Sequence, residues 1–472
     1  MSWRHHYSLA IALSIATGCI LSAGARHTAA AGPMDRRPGV CALSAADAGH
    51  PLGPPQSLRP CSRAHGLLAP NRPPATVCRR DCGGPSGNGS RRLFTSPAGR
   101  PAPVAPFPYR ISGVTQVAQL IGPTPNSPYA AGAASPYSIN DTTRWGICGG
   151  DLGSLMDDRG TAYITLGDNY TSCPPGTGGP GGGLQPPDWR SNAVGVIPAP
   201  ADFTHGLHIT RWLSRDGRRA TEVIPSQHNA GDCEDAQAPG CEVTRIPTYG
   251  FAVQGRLFLA YMSVHHWGDP GMWDVNYSGF AMSANQGRTW TVETRAAAWG
   301  PHSNFAQVAV TPDPSGRYLL FYGIPGGRFG SVRLMRTPAT WRDVLTARSY
   351  QYDTGTDANG GPRWSADAAR AVVVADAPVG ELSVIYDAGL REWLMTYLQG
   401  GGDIVMRGAA HYWGPWSAPV TLATQAQFPG LYGAFMEPHF LTDNGRTVYF
   451  VMSQWNPYAV FWMKATLTGT VR

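Results

Sequence analysis

Two acidic residues, Asp151 and Asp168, have the most informative spacing in this chain. They lie seventeen residues apart in the stretch GGDLGSLMDDRGTAYITLGDNY, on either side of the polar run 157–160. That run ends in Gly and has the composition of a tight turn. If the chain folds back there, Asp151 lies opposite Asp168 on antiparallel strands. Directly opposed residues point to one face with their Cβ atoms about 5 Å apart, so the sequence predicts a close pair of carboxyl groups.

Such a pair has a definite chemical use. Neighbouring carboxylates repel, so one of them is expected to keep its proton at neutral pH. A protonated carboxyl beside an ionised one is what hydrolysis of a glycosidic bond requires, and Asp151 and Asp168 are therefore predicted to be catalytic. The sequence does not say which is the acid, although the more desolvated carboxyl is expected to take that role. Between retention and inversion of the anomeric centre, inversion is favoured.

Cysteines flank the same hairpin. Cys148 precedes Asp151 and Cys173 follows Asp168, in a register that predicts a disulfide across the open end of the two strands. Cys233 and Cys241 are close enough in sequence to form a second, local disulfide.

The ends of the chain differ in composition from its body. An apolar run follows Arg4, and small residues follow that run, so residues 1–31 are predicted to be a signal peptide too short for a stable membrane span. Residues 32–107, rich in Pro, Gly and Arg, are predicted to be a disordered tail or linker. The protein is therefore expected to be secreted or held in the cell envelope. The body has a slight excess of acidic residues and no basic stripe, which argues against a nucleic-acid partner.

Residues 108–472 predict an all-β fold. Only 14% of the 472 residues are charged, while Gly and Pro number 58 and 42. Apolar strands, tight turns and aromatic strands recur, as in TAYITLGD, RLFLAYMSV, RYLLFYGI, EWLMTYLQ and TVYFVMSQ. This repetition predicts a five-bladed β-propeller with blades centred on 150–170, 247–290, 304–340, 381–416 and 434–468.

A propeller places the start of each innermost strand and the end of each second strand at one face. Asp151 and Asp168 meet this condition, so both are expected at the mouth of the central funnel. Other polar groups predicted to start innermost strands are Glu437 and His439 in the last blade, Glu381 in the fourth, and His302, Asn304 and Gln307 in the third. Each is a candidate to bind a sugar hydroxyl or to shift the pKa of a neighbour. Aromatic residues predicted to follow second strands are candidates to stack on sugar rings: Tyr170, Trp189, Trp267, Trp273 and Tyr432. Of these, Tyr170 and Trp189 are predicted to contact a sugar beside the acids. No metal-binding or cofactor-binding motif is apparent, so neither a metal nor a cofactor is expected.

Three segments carry a family resemblance: the hairpin GGDLGSLMDDRGTAYITLGDNY, the blade PSGRYLLFYG and the closing EPHF…GRTVYFVMSQWNPY. Over roughly 108–470 the chain resembles the actinobacterial family described as domain of unknown function 4185. That family is similar to the five-bladed propellers grouped as glycoside hydrolase family 183.

The resemblance implies a function. Family members are endo-D-arabinanases that cleave α-1,5-linked D-arabinofuranose chains in mycobacterial arabinogalactan and lipoarabinomannan. It implies that Asp151 and Asp168 are the catalytic pair and that Glu437 and His439 bind or support the substrate. The partner would be the arabinan itself. Two alternatives stay open: a non-catalytic envelope-glycan lectin, and a hydrolase of another furanoside or of an acidic sugar. An acidic sugar would need an arginine cluster, for which Arg144, Arg245 and Arg328 are only loosely placed.

Overall fold

The described part of the chain is almost entirely β-structure. The computed structural model describes residues 105–127, 137–171, 188–199, 202–229, 240–293 and 297–469. The predicted signal peptide and almost all of the predicted tail, 32–107, lie outside these residues. Among the helices of the described ranges, none has the length and apolar character needed to cross a membrane.

Five antiparallel sheets form the blades of a β-propeller, which confirms the predicted fold class. The strand β1 (Arg110–Gln119) comes first in the chain. The first blade contains β2 (Gly149–Asp158), β3 (Thr161–Tyr170), β4 (Trp189–Arg190), β5 (Ala193–Ile197) and β6 (Arg211–Trp212). The second contains β7 (Thr244–Val253), β8 (Arg256–Trp267), β9 (Trp273–Ser283) and β10 (Thr291–Glu293).

The remaining blades repeat the pattern. The third contains β11 (Gln307–Pro312), β12 (Tyr318–Ile324), β13 (Gly330–Pro338), β14 (Gln351–Thr356), β15 (Pro362–Ser365) and β16 (Val373–Val379). The fourth contains β17 (Leu382–Asp387), β18 (Glu392–Leu398), β19 (Ile404–Ala409) and β20 (Val420–Ala423). The fifth contains β21 (Leu431–Thr442), β22 (Thr447–Gln454) and β23 (Ala459–Thr468). Within the described ranges, helical structure is confined to α1 (Trp341–Val344) and to 3-10 turns at Thr143–Trp145, Ala347–Ser349 and Ala368–Arg370.

The ring of blades is closed by strands from both ends of the described chain. The innermost strands β2, β7, β11, β17 and β21 contact one another in turn, and β21 contacts β2. The early strand β1 pairs antiparallel with β23, from Arg110 against Thr468 to Gln119 against Phe461. The last blade therefore takes its outermost strand from a segment that precedes the first blade.

Tight turns set the strand register. In the β2–β3 hairpin, Asp158 pairs with Thr161, and the two turn residues Arg159 and Gly160 have φ of 56° and 86°. Two positive φ values are characteristic of a type I′ turn, whose twist matches that of the flanking strands. The Asp157 carboxylate adds a hydrogen bond from the Gly160 amide at 3.1 Å. The turn predicted from the run 157–160 is therefore confirmed.

Apolar and aromatic side chains fill the spaces between the blades. Phe251 and Phe280 from the second blade meet Phe321 from the third, with ring centroids 5.8 and 6.0 Å apart in edge-to-face arrangements. Such edge-to-face contacts add to the gain from burying the rings. This packing fixes each blade against the next and so fixes the loops at the faces of the propeller.

Candidate functional site

The β2–β3 hairpin brings Asp151 and Asp168 to the same end of the first blade. The predicted register holds near the turn, where Leu155 pairs with Ile164, and at the open end, where Gly150 pairs with Asn169. Between these stretches the ladder is irregular. Asp151 therefore lies within a bulged segment and is not simply opposed to Asp168, and bulges of this kind re-aim side chains beside functional sites.

The bulge depends on glycine. Gly153 has a φ of 91°, and a Cβ atom there would lie 2.5 Å from Val451 Cγ1. A Cβ atom on Gly167 would overlap Oδ1 of Asp151. The Asp151 carboxyl thus occupies the space that a side chain at position 167 would need.

Asp168 is buried and held by two donors. Its Oδ1 accepts a hydrogen bond from Thr244 Oγ1 at 2.6 Å and another from Trp189 Nε1 at 2.9 Å. Thr244 begins the innermost strand of the second blade, so two blades position this carboxyl. No hydrogen bond from the described residues reaches Oδ2, which is therefore the oxygen available to a reacting partner.

Asp151 is held from the fifth blade. Its Oδ2 accepts a hydrogen bond from the Tyr432 hydroxyl at 2.9 Å, while Oδ1 is buried without a hydrogen-bond partner among the described residues. The Tyr458 hydroxyl donates to the backbone carbonyl of Asp168 at 3.1 Å and also favours the ionised form of Asp151. The end of the propeller at which Asp151, Asp168 and Tyr432 meet is called the acid face below.

Both carboxyl groups bind protons more tightly than usual. Burial raises the pKa of Asp151 to about 7, and the hydrogen bond from Tyr432 and the nearby Tyr458 hydroxyl oppose this rise. Burial, with the charge of Asp151, raises the pKa of Asp168 to about 8, against the hydrogen bonds from Thr244 and Trp189. Near neutral pH, Asp151 loses its proton before Asp168 does. The expectation that one carboxyl keeps its proton is therefore supported by this environment.

An arginine–glutamate pair that sequence reasoning did not connect to the acids lies beside Asp151. Arg328 donates from Nη2 to Glu381 Oε1 at 2.7 Å and from Nε to both carboxylate oxygens of that residue. Its guanidinium carbon lies 5.0 Å from the centre of the Tyr432 ring. Glu381 raises the pKa of Asp151 and Arg328 lowers it. The sequence pointed to Glu381 because it was predicted to start an innermost strand. Arg328 lies in a loop, and no strand pattern pointed to it.

Tyr170 and Trp189 are buried beside the two acids. They are 6% and 5% exposed, with ring centroids 6.4 Å apart in a stacked arrangement. Neither offers an open face to a sugar in this structure, because both rings are buried. Trp189 acts instead through its indole N–H, which orients Asp168. Burial raises the pKa of the Tyr170 phenol above its usual range, so this hydroxyl stays neutral.

A buried histidine–glutamate pair lies behind Trp189. The His228 ring lies 4.4 Å from Trp189, edge to face, and its Nε2 is 3.0 Å from Glu222 Oε1. His228 has a φ of 56°, which is costly for a residue with a side chain. The negative charge of Glu222 raises the pKa of Asp168. Sequence reasoning missed both residues, since neither belongs to a strand or a motif.

The predicted position of Glu437 and His439 is wrong. The innermost strand of the fifth blade begins at Leu431, so Tyr432 occupies the place at the acid face that was predicted for them. His439 Nδ1 lies 2.7 Å from Glu437 Oε1, and this hydrogen bond, with the charges of Glu437 and Asp157, raises the pKa of His439. Asp157 lies at the turn end of β2, away from Asp151. The error arose because the start of β21 was placed at the EPHF segment rather than at LYGAF.

The third-blade candidates have structural contacts. Asn304 Oδ1 accepts a hydrogen bond from Arg333 Nη1 at 2.9 Å, and Gln307 donates to the carbonyl of Gly327 at 2.7 Å. His302 is exposed and makes no contact with the acids among those described. A role for His302 and Asn304 in substrate binding stays a prediction.

The cysteine predictions extend beyond the described residues. Cys148 and Cys241 are each disulfide-bonded. Their predicted partners, Cys173 and Cys233, lie outside the described ranges, so both pairings stay predictions.

The arginines considered for an acidic sugar do not converge. Arg245 pairs with Glu242 at 2.8 Å, and Arg144 lies 5.8 Å from the Trp145 ring. Of these three arginines, only Arg328 lies beside Asp151 and Tyr432 in the described chain. In that same part of the chain, no group of three or more His, Cys, Asp or Glu side chains is arranged to hold a metal ion.

The chain belongs to the family described as Domain of unknown function (DUF4185), whose profile matches residues 137–464. This confirms the resemblance to that family. No curated protein matches the chain at a significant level.

Solved structures that match this chain include several enzymes. A GH43_1 enzyme from Xanthomonas citri is 16% identical, with a TM-score of 0.41 over 71% of this chain and 93% of its own. An exo-beta-1,3-galactanase from Phanerochaete chrysosporium is 10% identical, with a TM-score of 0.42 over 74% of this chain and 64% of its own. A GH43 beta-xylosidase/alpha-arabinofuranosidase from a compost microbial metagenome is 15% identical, with a TM-score of 0.38 over 70% and 96%. Likeness at this level carries no conclusion about activity.

Proposed function

We propose that this protein is an exported glycoside hydrolase that cleaves α-1,5-linked D-arabinofuranose chains of mycobacterial cell-wall arabinogalactan and lipoarabinomannan. The observation that carries the proposal is the pair of carboxyl groups, Asp151 and Asp168, with pKa values raised to about 7 and about 8 at one end of a hairpin. The substrate follows from the resemblance to glycoside hydrolase family 183, and export from the apolar N-terminal run.

Asp168 is the proposed general acid. It is the more buried of the two carboxyls, and the negative charge of Asp151 further favours its protonated form. Because Thr244 and Trp189 both donate to Oδ1, the proton is held on Oδ2. From there it passes to the glycosidic oxygen as the bond to the leaving sugar breaks.

Asp151 is the proposed base. The hydroxyl of Tyr432 and the positive charge of Arg328 favour its carboxylate. In an inverting reaction this carboxylate removes a proton from the attacking water on the opposite side of the sugar ring, and inversion is the outcome we favour. Tyr432 donates a hydrogen bond to it and so fixes its orientation.

The test is the loss of activity in two isosteric variants. Asp151→Asn and Asp168→Asn remove the base and the acid, and each should slow release of soluble oligosaccharides from purified arabinogalactan by at least about a hundredfold. Asp157→Asn, at the turn end of the same strand, is the matched control and should retain the wild-type rate. Wild-type release by either active-site variant would contradict the assignment, and binding without any release by the wild type would favour the lectin alternative.

A further inference from the structure

Exposed apolar side chains are concentrated on the acid face. Seven large apolar residues are exposed in the described chain, and four of them lie at or just after the ends of second strands, where Asp168 also lies: Trp267, Met272, Phe329 and Trp455, at 43%, 54%, 48% and 44%. These side chains come from three different blades. Since a contiguous exposed apolar patch marks an interaction site, their grouping beside the acids indicates a binding surface.

Three of the four form one surface with a half-buried neighbour. We call Trp267, Met272, Trp273 and Phe329 the aromatic ledge. The rings of Trp267 and Trp273 pack edge to face at 5.6 Å. The loop between β8 and β9 is joined to the loop before β13 by a hydrogen bond from the Arg328 amide to the Gly271 carbonyl at 2.8 Å. A Cβ on Gly271 would lie 3.2 Å from the Phe329 ring, so the two loops are in close contact.

The ledge connects to Asp151 through two side chains. The Arg328 guanidinium carbon lies 5.7 Å from the Trp273 ring and 5.0 Å from the Tyr432 ring. The Tyr432 hydroxyl lies 2.9 Å from Asp151. Arg328 is fixed by its bidentate contact with Glu381, so the ledge has a fixed position relative to the acid.

Trp455 lies on the other side of the pair. Its ring packs edge to face with Tyr458 at 5.6 Å, and the Tyr458 hydroxyl donates to the Asp168 carbonyl. A backbone hydrogen bond from the Trp455 amide to the Gly430 carbonyl, at 2.8 Å, holds the loop. The ledge belongs to the second and third blades and Trp455 to the fifth, so the acids of the first blade lie between them.

We infer that the aromatic ledge and Trp455 are two sugar-binding platforms that hold one furanoside chain on either side of the bond to be cleaved. This inference rests on the proposed function and deepens it. Aromatic faces suit sugar rings, because their C–H surfaces pack on the ring while the hydroxyls stay hydrated. Platforms on both sides require a substrate that continues in both directions beyond the bond to be cleaved.

Binding is measured first, apart from catalysis. In the full chain carrying Asp168→Asn, titration calorimetry with long D-arabino-oligosaccharides compares Trp267→Ala/Phe329→Ala and Trp455→Ala with Val373→Ala, which removes an exposed side chain of β16 as a matched control. Each platform variant should bind about tenfold more weakly, a difference of ~1.4 kcal/mol. Affinities equal to that of the Val373→Ala control would overturn the inference. So would concentration-dependent self-association that the platform variants abolish, since the surface would then bind a second copy.

Dependence on chain length gives the second readout in the active protein. The platform variants should lower the rate on long arabinan chains relative to short ones, whereas Val373→Ala should leave that ratio unchanged. A ratio that stays at the wild-type value in the platform variants would overturn the inference. If the wild type binds arabinan through the platforms but releases nothing, the platforms stand and the proposed hydrolysis fails.

Discussion

At the scale of single residues, two carboxyls of the same type are set apart by their neighbours. Asp168 accepts two hydrogen bonds on one oxygen and lies near the negative charges of Asp151 and Glu222. Asp151 lies near Arg328 and the Tyr432 hydroxyl, which favour its ionised form. The pKa is therefore about 8 for Asp168 and about 7 for Asp151. This difference suits Asp168 to donate a proton and Asp151 to accept one.

These values predict a narrow, bell-shaped pH dependence. Activity should rise as Asp151 loses its proton near pH 7 and fall as Asp168 loses its proton near pH 8. Initial rates of arabinan cleavage between pH 4 and pH 10 measure both limbs. A rate that stays flat from pH 5 to pH 10 would show that these carboxyls do not limit the reaction.

A change at Glu222 tests what sets the fall in activity at high pH, the upper limb of the pH profile. The ionisable groups facing Asp168 are Asp151, Glu222 and the phenols of Tyr170 and Tyr458, and Glu222 also faces His228 and Arg190. Glu222→Gln removes one negative charge, so it should move the upper limb to lower pH and leave the lower limb in place. Glu293→Gln, on the outer strand of the second blade, is the control and should move neither. An upper limb unchanged in Glu222→Gln would show that this charge does not act on Asp168.

At the scale of elements, the decisive feature is the irregular ladder between β2 and β3. Sequence reasoning predicted the hairpin, its turn and most of its register, because alternating apolar residues around a Gly-ending turn leave few other pairings. The bulge at Leu152 and Gly153 was not predicted, since one sequence gives no sign of where an extra residue will be accommodated. That bulge, and the missing side chain at Gly167, place the Asp151 carboxyl.

Gly167→Ala should therefore damage the site without unfolding the blade. The added methyl group would overlap Asp151 Oδ1 and lie 3.0 Å from Leu152 Cδ1, so the carboxyl must move. We expect kcat to fall at least about tenfold, because a small displacement of a catalytic group is costly. Gly300→Ala, where nothing lies within 4 Å of the new Cβ, is the control and should keep wild-type activity. Normal kcat in Gly167→Ala would show that the position of Asp151 is not critical.

At the scale of the whole molecule, the site exists only because the ring closes. Asp151 and Asp168 come from the first blade, while their hydrogen-bond donors Thr244 and Tyr432 start the innermost strands of the second and fifth. The pairing of β1 with β23 keeps the fifth blade beside the first. The folded molecule therefore bears the cost of burying two acids, and this cost depends on pH.

The pH dependence of stability follows from the raised pKa values. Asp168 has a pKa of about 8 when folded, against an ordinary value of 3.8, so the folded protein binds its proton more tightly than the unfolded chain does. Its contribution to stability is complete below about pH 4 and is lost as the pH rises through 8. Asp168→Asn should therefore unfold at a higher temperature than the wild type at pH 9, with the difference shrinking towards pH 4. Differential scanning calorimetry measures this, and melting temperatures that differ equally at both pH values would contradict it.

The sequence by itself determined the five blades, the first hairpin and the two acids, because strand periodicity and turn chemistry are local and repeat along the chain. Only the tertiary structure decided which distant residues meet those acids. Tyr432, Thr244 and Arg328 reach them from other blades, and Trp189 from a later strand of the first blade. Glu437 and His439, predicted for that place, lie elsewhere. Such contacts depend on where each strand begins and how the blades close into a ring, and no local pattern in the chain encodes either.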